Sequence, residues 1–250
     1  MIRALIKDIS NIYIPVPCPC SPKESLKVQS YIVSLLEIFY KFDETLKSEL
    51  TARKKQYSYY LRNLLTFDRD SVKWFKISEL VKVVVPPEKV NKSMYKETGT
   101  IPVIDQSTTF ISGYTDSNTK TLPVNEYILF GEHSETIKFV DFVFAQGSYG
   151  LKILKPLREM PKYIYYAFQN FYDKKKCYKR HWSSARETKI PIPYPENPKK
   201  SILEQGKIIQ ILDTLHNLAY SDKIGLPAEI NLRKKQYNFY LNEIFNFTTN

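Results

Sequence analysis

The pentapeptide RKKQY occurs twice, at residues 53–57 and 233–237, inside two longer stretches that repeat each other. IPVP at 14–17 returns as IPIP at 190–193, and Pro22, Ser25 and Gln29 return as Pro198, Ser201 and Gln205, all at an offset of 176. Past the pentapeptide, Tyr60, Leu61 and Phe67 match Tyr240, Leu241 and Phe247 at an offset of 180, so the second copy carries four extra residues. Self-similarity of this length constrains the fold strongly, because both copies must adopt one local structure and bury equivalent faces.

Each copy reads as helix. Val28, Ile32, Leu35, Phe39, Phe42 and Leu46 step by four and three, the a/d seam of a coiled coil, and Tyr57, Tyr60, Leu64 and Phe67 resume it. Ile208, Ile211, Leu215 and Leu218, then Tyr237, Tyr240, Ile244 and Phe247, hold the seam in the second copy. A four-residue insertion shifts such a seam as a stutter. It falls at GLPAEI, residues 225–230, where Gly225 and Pro227 predict a helix that breaks and restarts with the proline in its first turn. An apolar stripe alone would be ordinary bundle core. Two copies separated by sequence of another kind predict a spacer of two antiparallel helices.

Between the copies, from residue 68 to about 189, β-branched and aromatic runs take over: VKVVV (81–85), TIPVI (100–104), EYILF (126–130), IKFVDFVFA (137–145) and YGLKIL (149–154), punctuated by turn residues. Residues 160–176 read as helical, with Ile164, Phe168 and Phe171 on one face. The fold class is therefore α+β: a strand-rich mixed domain flanked by two long helices that form an antiparallel coiled coil.

A hydrophobic fraction of 43% over 250 residues is enough for a real core, and the formal charge of +11 favours a polyanionic partner. The charge is local: residues 68–158 hold 12 Lys and Arg against 11 acids, residues 159–189 hold 8 against 3. The excess coincides with DKKKCYKRHW (173–182), where Lys174, Lys175, Lys176, Lys179 and Arg180 interleave with Tyr178, His181 and Trp182. Cations neutralise phosphates, Arg can fork to guanine, and aromatic rings pack on sugars and bases, so the run suits DNA; a solvated helix end is the plainer reading.

Catalysis finds little support. There is no GxGxxG, no P-loop and no NPPY-like methyltransferase motif, and His133, His181 and His216 are too scattered for a metal site. Glu135 and Lys138 lack a partner carboxylate for a nuclease and read as a surface i, i+3 pair. Three cysteines make neither a metal quartet nor a disulfide framework, and neither a signal-peptide core nor a membrane-length apolar run is visible. The expected compartment is the cytoplasm, with no membrane partner.

The P-x2-S…Q element, the long helix ending in RKKQY-x2-YL, and the GLPAEI and LRKKQY strings resemble the conserved regions of the specificity subunits of type I restriction-modification enzymes, in their mycoplasma-like form. Residues 99–115, 130–154 and 178–193 are similar to recurring stretches of that family's target recognition domains. By position in those stretches, the resemblance implies a DNA face built from Asp105, Gln106, Ser107, Tyr114, His133, Ser134, Lys138, Tyr178, Lys179, Arg180 and His181. Lys138 is expected on phosphate, Gln106 and Arg180 on base edges, and Tyr178 and His181 in packing or hydrogen bonding.

The resemblance further implies a division of the chain: 1–20 as the end of a preceding recognition domain, 21–67 as the first helical spacer, 68–193 as a single target recognition domain, and 194–248 as the second spacer. It implies a non-catalytic subunit that addresses double-stranded DNA and docks modification and restriction subunits. S-adenosylmethionine, ATP and Mg would belong to those partners, with no cofactor in this chain. With one recognition domain, the chain is expected to read a half-site, to form a homodimer, or to pair with another partial specificity subunit. The competing readings are a coiled-coil protein adaptor and an inactive truncated subunit.

Overall fold

The computed structural model describes residues 14–116, 118–147 and 150–245, the side chain of Phe245 excepted. Most of the 1–20 segment, Ser148 and Tyr149 within the second recurring stretch, and Phe247 of the seam lie outside the described residues. The chain divides into a helical unit, up to Tyr57 and again from Thr214, and a strand-rich unit, Ser58–Asp213.

In the first copy of the repeat, helix α1 (Pro22–Asn63) runs unbroken for 42 residues. The second copy is two helices, α5 (Pro198–Tyr220) and α6 (Leu226–Phe245), so the four extra residues are taken up by a break rather than a stutter. Gly225 is required in that break, because a Cβ there would lie 2.2 Å from the carbonyl oxygen of Asn217. Within the helical unit, Phe39 packs 5.9 and 5.7 Å from Tyr237 and Tyr240, Arg233 lies over Phe42, and Tyr57 meets His216 and Tyr220 at 5.6 and 5.5 Å. Partner numbers fall as those on α1 rise, so the packing is antiparallel.

The repeat extends to single hydrogen bonds. Arg53 donates to Gln56 and Glu49, and Arg233 donates to Gln236 and Glu229. Cys18 and Tyr194, at the offset of 176, share a left-handed φ of 47°; each starts a turn closed by Ser21 N–H to the Cys18 carbonyl and by Asn197 N–H to the Tyr194 carbonyl. Gln29 donates to Ser25 Oγ and Gln205 to Ser201 Oγ, both at 3.0 Å. The burial differs: Ile14 and Val16 are 75% and 55% exposed, whereas Ile190 and Ile192 are 0% and 2%.

The strand-rich unit holds β1 (Val72–Lys76), a short helix α2 (Ile77–Leu80), β2 (Val81–Val84), β3 (Ile101–Ile104), β4 (Gly113–Thr115), β5 (Tyr127–Gly131), β6 (Ile137–Val140), β7 (Ala145–Gln146), β8 (Leu151–Pro156), helix α3 (Pro161–Phe171), a short helix α4 (Trp182–Ala185) and β9 (Lys189–Pro193). Three sheets result, ordered β1-β9, β2-β8-β5-β6 and β4-β3-β7, antiparallel except for the β3-β7 pair. Strand β5 is buried at every position because both faces are covered. Phe130 packs on Phe168 of α3, while Tyr127 and Leu129 join Ile104, Val140, Phe144, Leu151 and Ile153 in the main core.

Some expectations are corrected. The run 137–145 splits at the exposed Asp141, because β5 offers no pairing beyond Tyr127, and Ala145–Gln146 crosses to pair with β3 in another sheet. The helix expected over 160–176 stops at Phe171, and the residues after it follow a loop fixed by side chains. IPIP is itself strand β9, whose prolines sit opposite Val72 and Trp74 in a two-stranded sheet, where missing N–H donors are tolerated. None of the described helices is long and apolar enough to cross a membrane.

Candidate nucleic-acid interface

The β5–β6 hairpin turn organises the surface. Gly131 and Thr136 close it through a 2.9 Å backbone bond, and the turn is completed by Glu135 at a positive φ of 54°. A Cβ at Gly131 would fall 2.2 Å from Ser134 Oγ, so the tight turn depends on glycine there. Two charged residues of this hairpin, Glu135 and Lys138, turn inward and each holds a different loop.

Glu135 is buried and accepts hydrogen bonds from the Tyr172 hydroxyl at 2.6 Å and from the amides of Lys175 and Lys176 at 2.7 and 2.8 Å. His181 Nδ1 lies 3.8 Å away, and His181 Nε2 donates to the Cys177 carbonyl at 2.7 Å. Burial pushes the Glu135 carboxyl upward, but the Tyr172 hydroxyl and the two amides, with a smaller pull from His181, outweigh it and hold the group below its ordinary range. Tyr172 is raised by burial and by the carboxylate it bonds. The His181 amide also donates to the Glu132 carbonyl, so the loop 172–181 is tied at both ends to the hairpin.

Lys138 is equally buried. Its ammonium donates to the carbonyls of Asp105 and Thr109 at 2.9 and 2.6 Å, and burial lowers its pKa against the opposing effect of Asp105. Asp105 in turn accepts from Ser112 Oγ (2.6 Å), the Ser107 amide (2.8 Å) and the Tyr95 hydroxyl (3.3 Å). Burial raises its pKa, but these bonds prevail and lower it. Gln106 links this loop to the turn: its Oε1 accepts from the His133 amide, and its carbonyl accepts from Thr136 Oγ1. Gly150, at φ +92°, lies against the Gln106 side chain, where a Cβ would meet it at 3.0 Å.

Both carboxyls, Asp105 and Glu135, have folded pKa values below the unfolded ones. Their contribution to stability is therefore complete above the ordinary carboxylate range and is lost as pH falls through the lowered values. The thermal midpoint of the strand-rich unit is expected to stay flat between about pH 7 and pH 5 and to drop below about pH 4; a midpoint falling already between pH 7 and 5 would contradict this assignment.

The structure thus brings Asp105, Gln106, Ser107, His133, Ser134, Lys138, Tyr178 and His181 into one network but gives them different directions. Tyr178, Lys179 and Arg180 are exposed, Tyr178 at 89%, together with Lys174, Lys175 and Lys176. Tyr178 stacks on the His133 ring at 5.0 Å and 20°. Ser134 is half-buried and bonded to Thr136 Oγ1, and Ser107 is half-buried on Ser112 and Thr109. Lys138, expected on phosphate, faces the interior, where the carbonyls of Asp105 and Thr109 accept its protons. His181 and Asp105 are likewise buried supports, and the expected surface pair of Glu135 and Lys138 is instead two buried anchors. Tyr114 pairs with Pro102 and exchanges backbone bonds with Lys96, outside the network. Sequence reasoning missed Tyr172, Thr136 and Ser112; Glu135 three residues before Lys138 was the visible clue to the anchors.

Chemically, the surface offers flexible cations for phosphates and an exposed tyrosine and arginine on a braced loop. No cluster of three or more metal-ligating side chains is found among the described residues.

Residues 70–232 match the family model described as type I restriction modification DNA specificity domain. The chain is 33% identical to the type I restriction enzyme EcoR124I/EcoR124II specificity subunit of Escherichia coli, over 98% of this chain and 66% of that one. It is 27% identical to the putative type I specificity subunit S.MpnORF89P of Mycoplasma pneumoniae, over 79% of this chain and 60% of that one. Its fold is similar to that of the type I restriction-modification S subunit from M. genitalium, with a TM-score of 0.60 at 16% identity, covering 89% of this chain and 62% of the other. The chain therefore spans 60–66% of the length of these relatives, less than two thirds of each.

Proposed function

The chain belongs to the DNA specificity family of type I restriction-modification systems, and from that premise we propose that it reads one part of a double-stranded DNA target and does no chemistry on it. The observation that carries this reading is the exposed run Tyr178, Lys179 and Arg180 beside three further lysines, on a loop braced from inside by Glu135. Residues 68–193 form the recognition domain and 21–67 and 194–248 the helical spacer. Within the domain, Lys179 and Lys174–Lys176 meet phosphates, Arg180 and Gln106 meet base edges, and Tyr178 packs against the duplex, with His133 and Ser134 bordering it.

Methyl transfer and ATP-driven cleavage reside on partner subunits, which bring S-adenosylmethionine, ATP and Mg. The exposed Leu26, Val33 and Tyr40, spaced by seven on α1, offer modification subunits an apolar stripe. Pairing with another partial specificity subunit is the assembly we favour over a lone half-site reader. It is supported by the first copy of the repeat, where the turn at Cys18 and the Ser25–Gln29 bond match the second copy, yet Ile14 and Val16 are exposed.

The test is selection of a randomised duplex pool by the purified chain, followed by affinity measurements at several salt concentrations. Enrichment of one motif, with affinity falling steeply as salt rises, is expected. Arg180→Ala should cost about 1–3 kcal/mol on the selected duplex and relax one base position. Uniform weakening on all duplexes would reassign Arg180 to phosphate, and absence of enrichment would favour the protein-adaptor reading.

A further inference from the structure

Exposed side chains on a non-regular run sample many positions unless the backbone beneath them is fixed. Residues 173–176 lie outside helix and strand. What fixes them is one carboxylate, met by the Tyr172 hydroxyl at the start of the loop and by the Lys175 and Lys176 amides in its middle, while the His181 amide ties the end of the loop to the Glu132 carbonyl. Lys176 holds a φ of +53°, a conformation that a residue with a Cβ keeps only when its surroundings impose it. Its amide bond to Glu135 supplies that constraint. Across the same hairpin Lys138 performs the opposite-charge version of this task for the loop 105–109. His133 and Ser134 sit in the turn beside these anchors, and Tyr178 stacks on His133.

We propose that Glu135 is a positioning residue for sequence readout: resting on the DNA-reading function above, it sets where Tyr178, Lys179 and Arg180 stand relative to His133, and governs which sequence is chosen rather than how strongly DNA is held. The separation follows from range. Lysine attraction to phosphate tolerates movement of the loop by an ångström or two, whereas forked hydrogen bonds to base edges do not.

Glu135→Gln keeps the volume of the side chain but turns one acceptor oxygen into an NH2 that faces donor hydrogens. The probes are the duplex enriched by the wild-type full-length chain and a scrambled duplex of equal length. For the variant, affinity for the scrambled duplex and its salt dependence are expected to stay within about twofold, while preference for the enriched duplex falls about tenfold or more. Tyr178→Ala, which lowers the preference in the wild-type background, should add nothing in the Glu135→Gln background. Glu135→Asp keeps the charge but shortens the reach; it should show the same one-sided loss at smaller size, and it decides the question if the glutamine variant does not fold.

Full preference retained in a folded variant overturns the inference and leaves the DNA reading intact. Equal loss on both duplexes overturns it as well, by making Glu135 a general support of the fold. A wild-type chain that enriches no duplex overturns the DNA reading itself.

Discussion

Phe130→Ala is expected to destabilise the strand-rich unit by about 3–5 kcal/mol, the range for removing a large aromatic ring from a filled core. Phe130 is fully buried on the central strand, with ring contacts to Phe168 at 5.7 Å, Tyr172 at 5.4 Å and Trp182 at 5.9 Å. Those neighbours bracket the basic loop: Tyr172 precedes it and Trp182 follows it. The cavity would therefore loosen the platform on which Tyr178–Arg180 stand, and DNA preference should fall together with the melting transition. Denaturant unfolding checks the magnitude; a loss under about 1 kcal/mol would mean that the neighbouring rings collapse into the space.

Gln205→Leu is expected to cost about 2–4 kcal/mol, while Gln29→Leu, its counterpart in the repeat, stays within about 0.5 kcal/mol. Gln205 is fully buried on α5. It accepts the amide of Met160 at 2.9 Å, the residue preceding α3, and donates to Glu159 and to Ser201. A leucine there leaves a backbone donor and a carboxylate without their partner, which costs more than the lost bonds themselves. Gln29 makes the same bond to Ser25 but is exposed. Denaturation of the two single variants gives the comparison. Equal losses would mean that the first copy is engaged as tightly as the second.

That asymmetry also explains what could be read from the sequence. The repeat made the helices legible down to the break at Gly225, because two copies of one pattern remove the ambiguity of a single apolar stripe. Strands β2, β3, β5 and β8 followed from β-branched and aromatic runs, but β1, β4 and β9 did not. Strand β4 spans only Gly113–Thr115 and β9 alternates isoleucine with proline, so these become strands by pairing rather than by propensity, whereas Val72, Trp74 and Phe75 of β1 are strand formers that sequence reasoning passed over. For the site, composition located the basic loop, and the structure leaves Tyr178, Lys179 and Arg180 exposed. It could not give side-chain direction. Lys138 lies on the same face of β6 as the core residue Val140, yet Phe139 on the other face packs against Tyr165, so both faces are apolar and alternation carries no signal. Asp105, two residues before Ser107, has the spacing of a side-chain-capped turn, and that local bond claims it for the interior.

Sequence readout by this chain is tested by methylation sequencing of DNA exposed to a modification subunit with S-adenosylmethionine, in the presence and absence of the chain. If this chain supplies the sequence readout, one defined motif is methylated when it is present, Arg180→Ala relaxes one position of that motif, and the chain alone methylates nothing. Methylation that is the same with and without the chain, in a mixture where light scattering shows the subunits bound together, would contradict it.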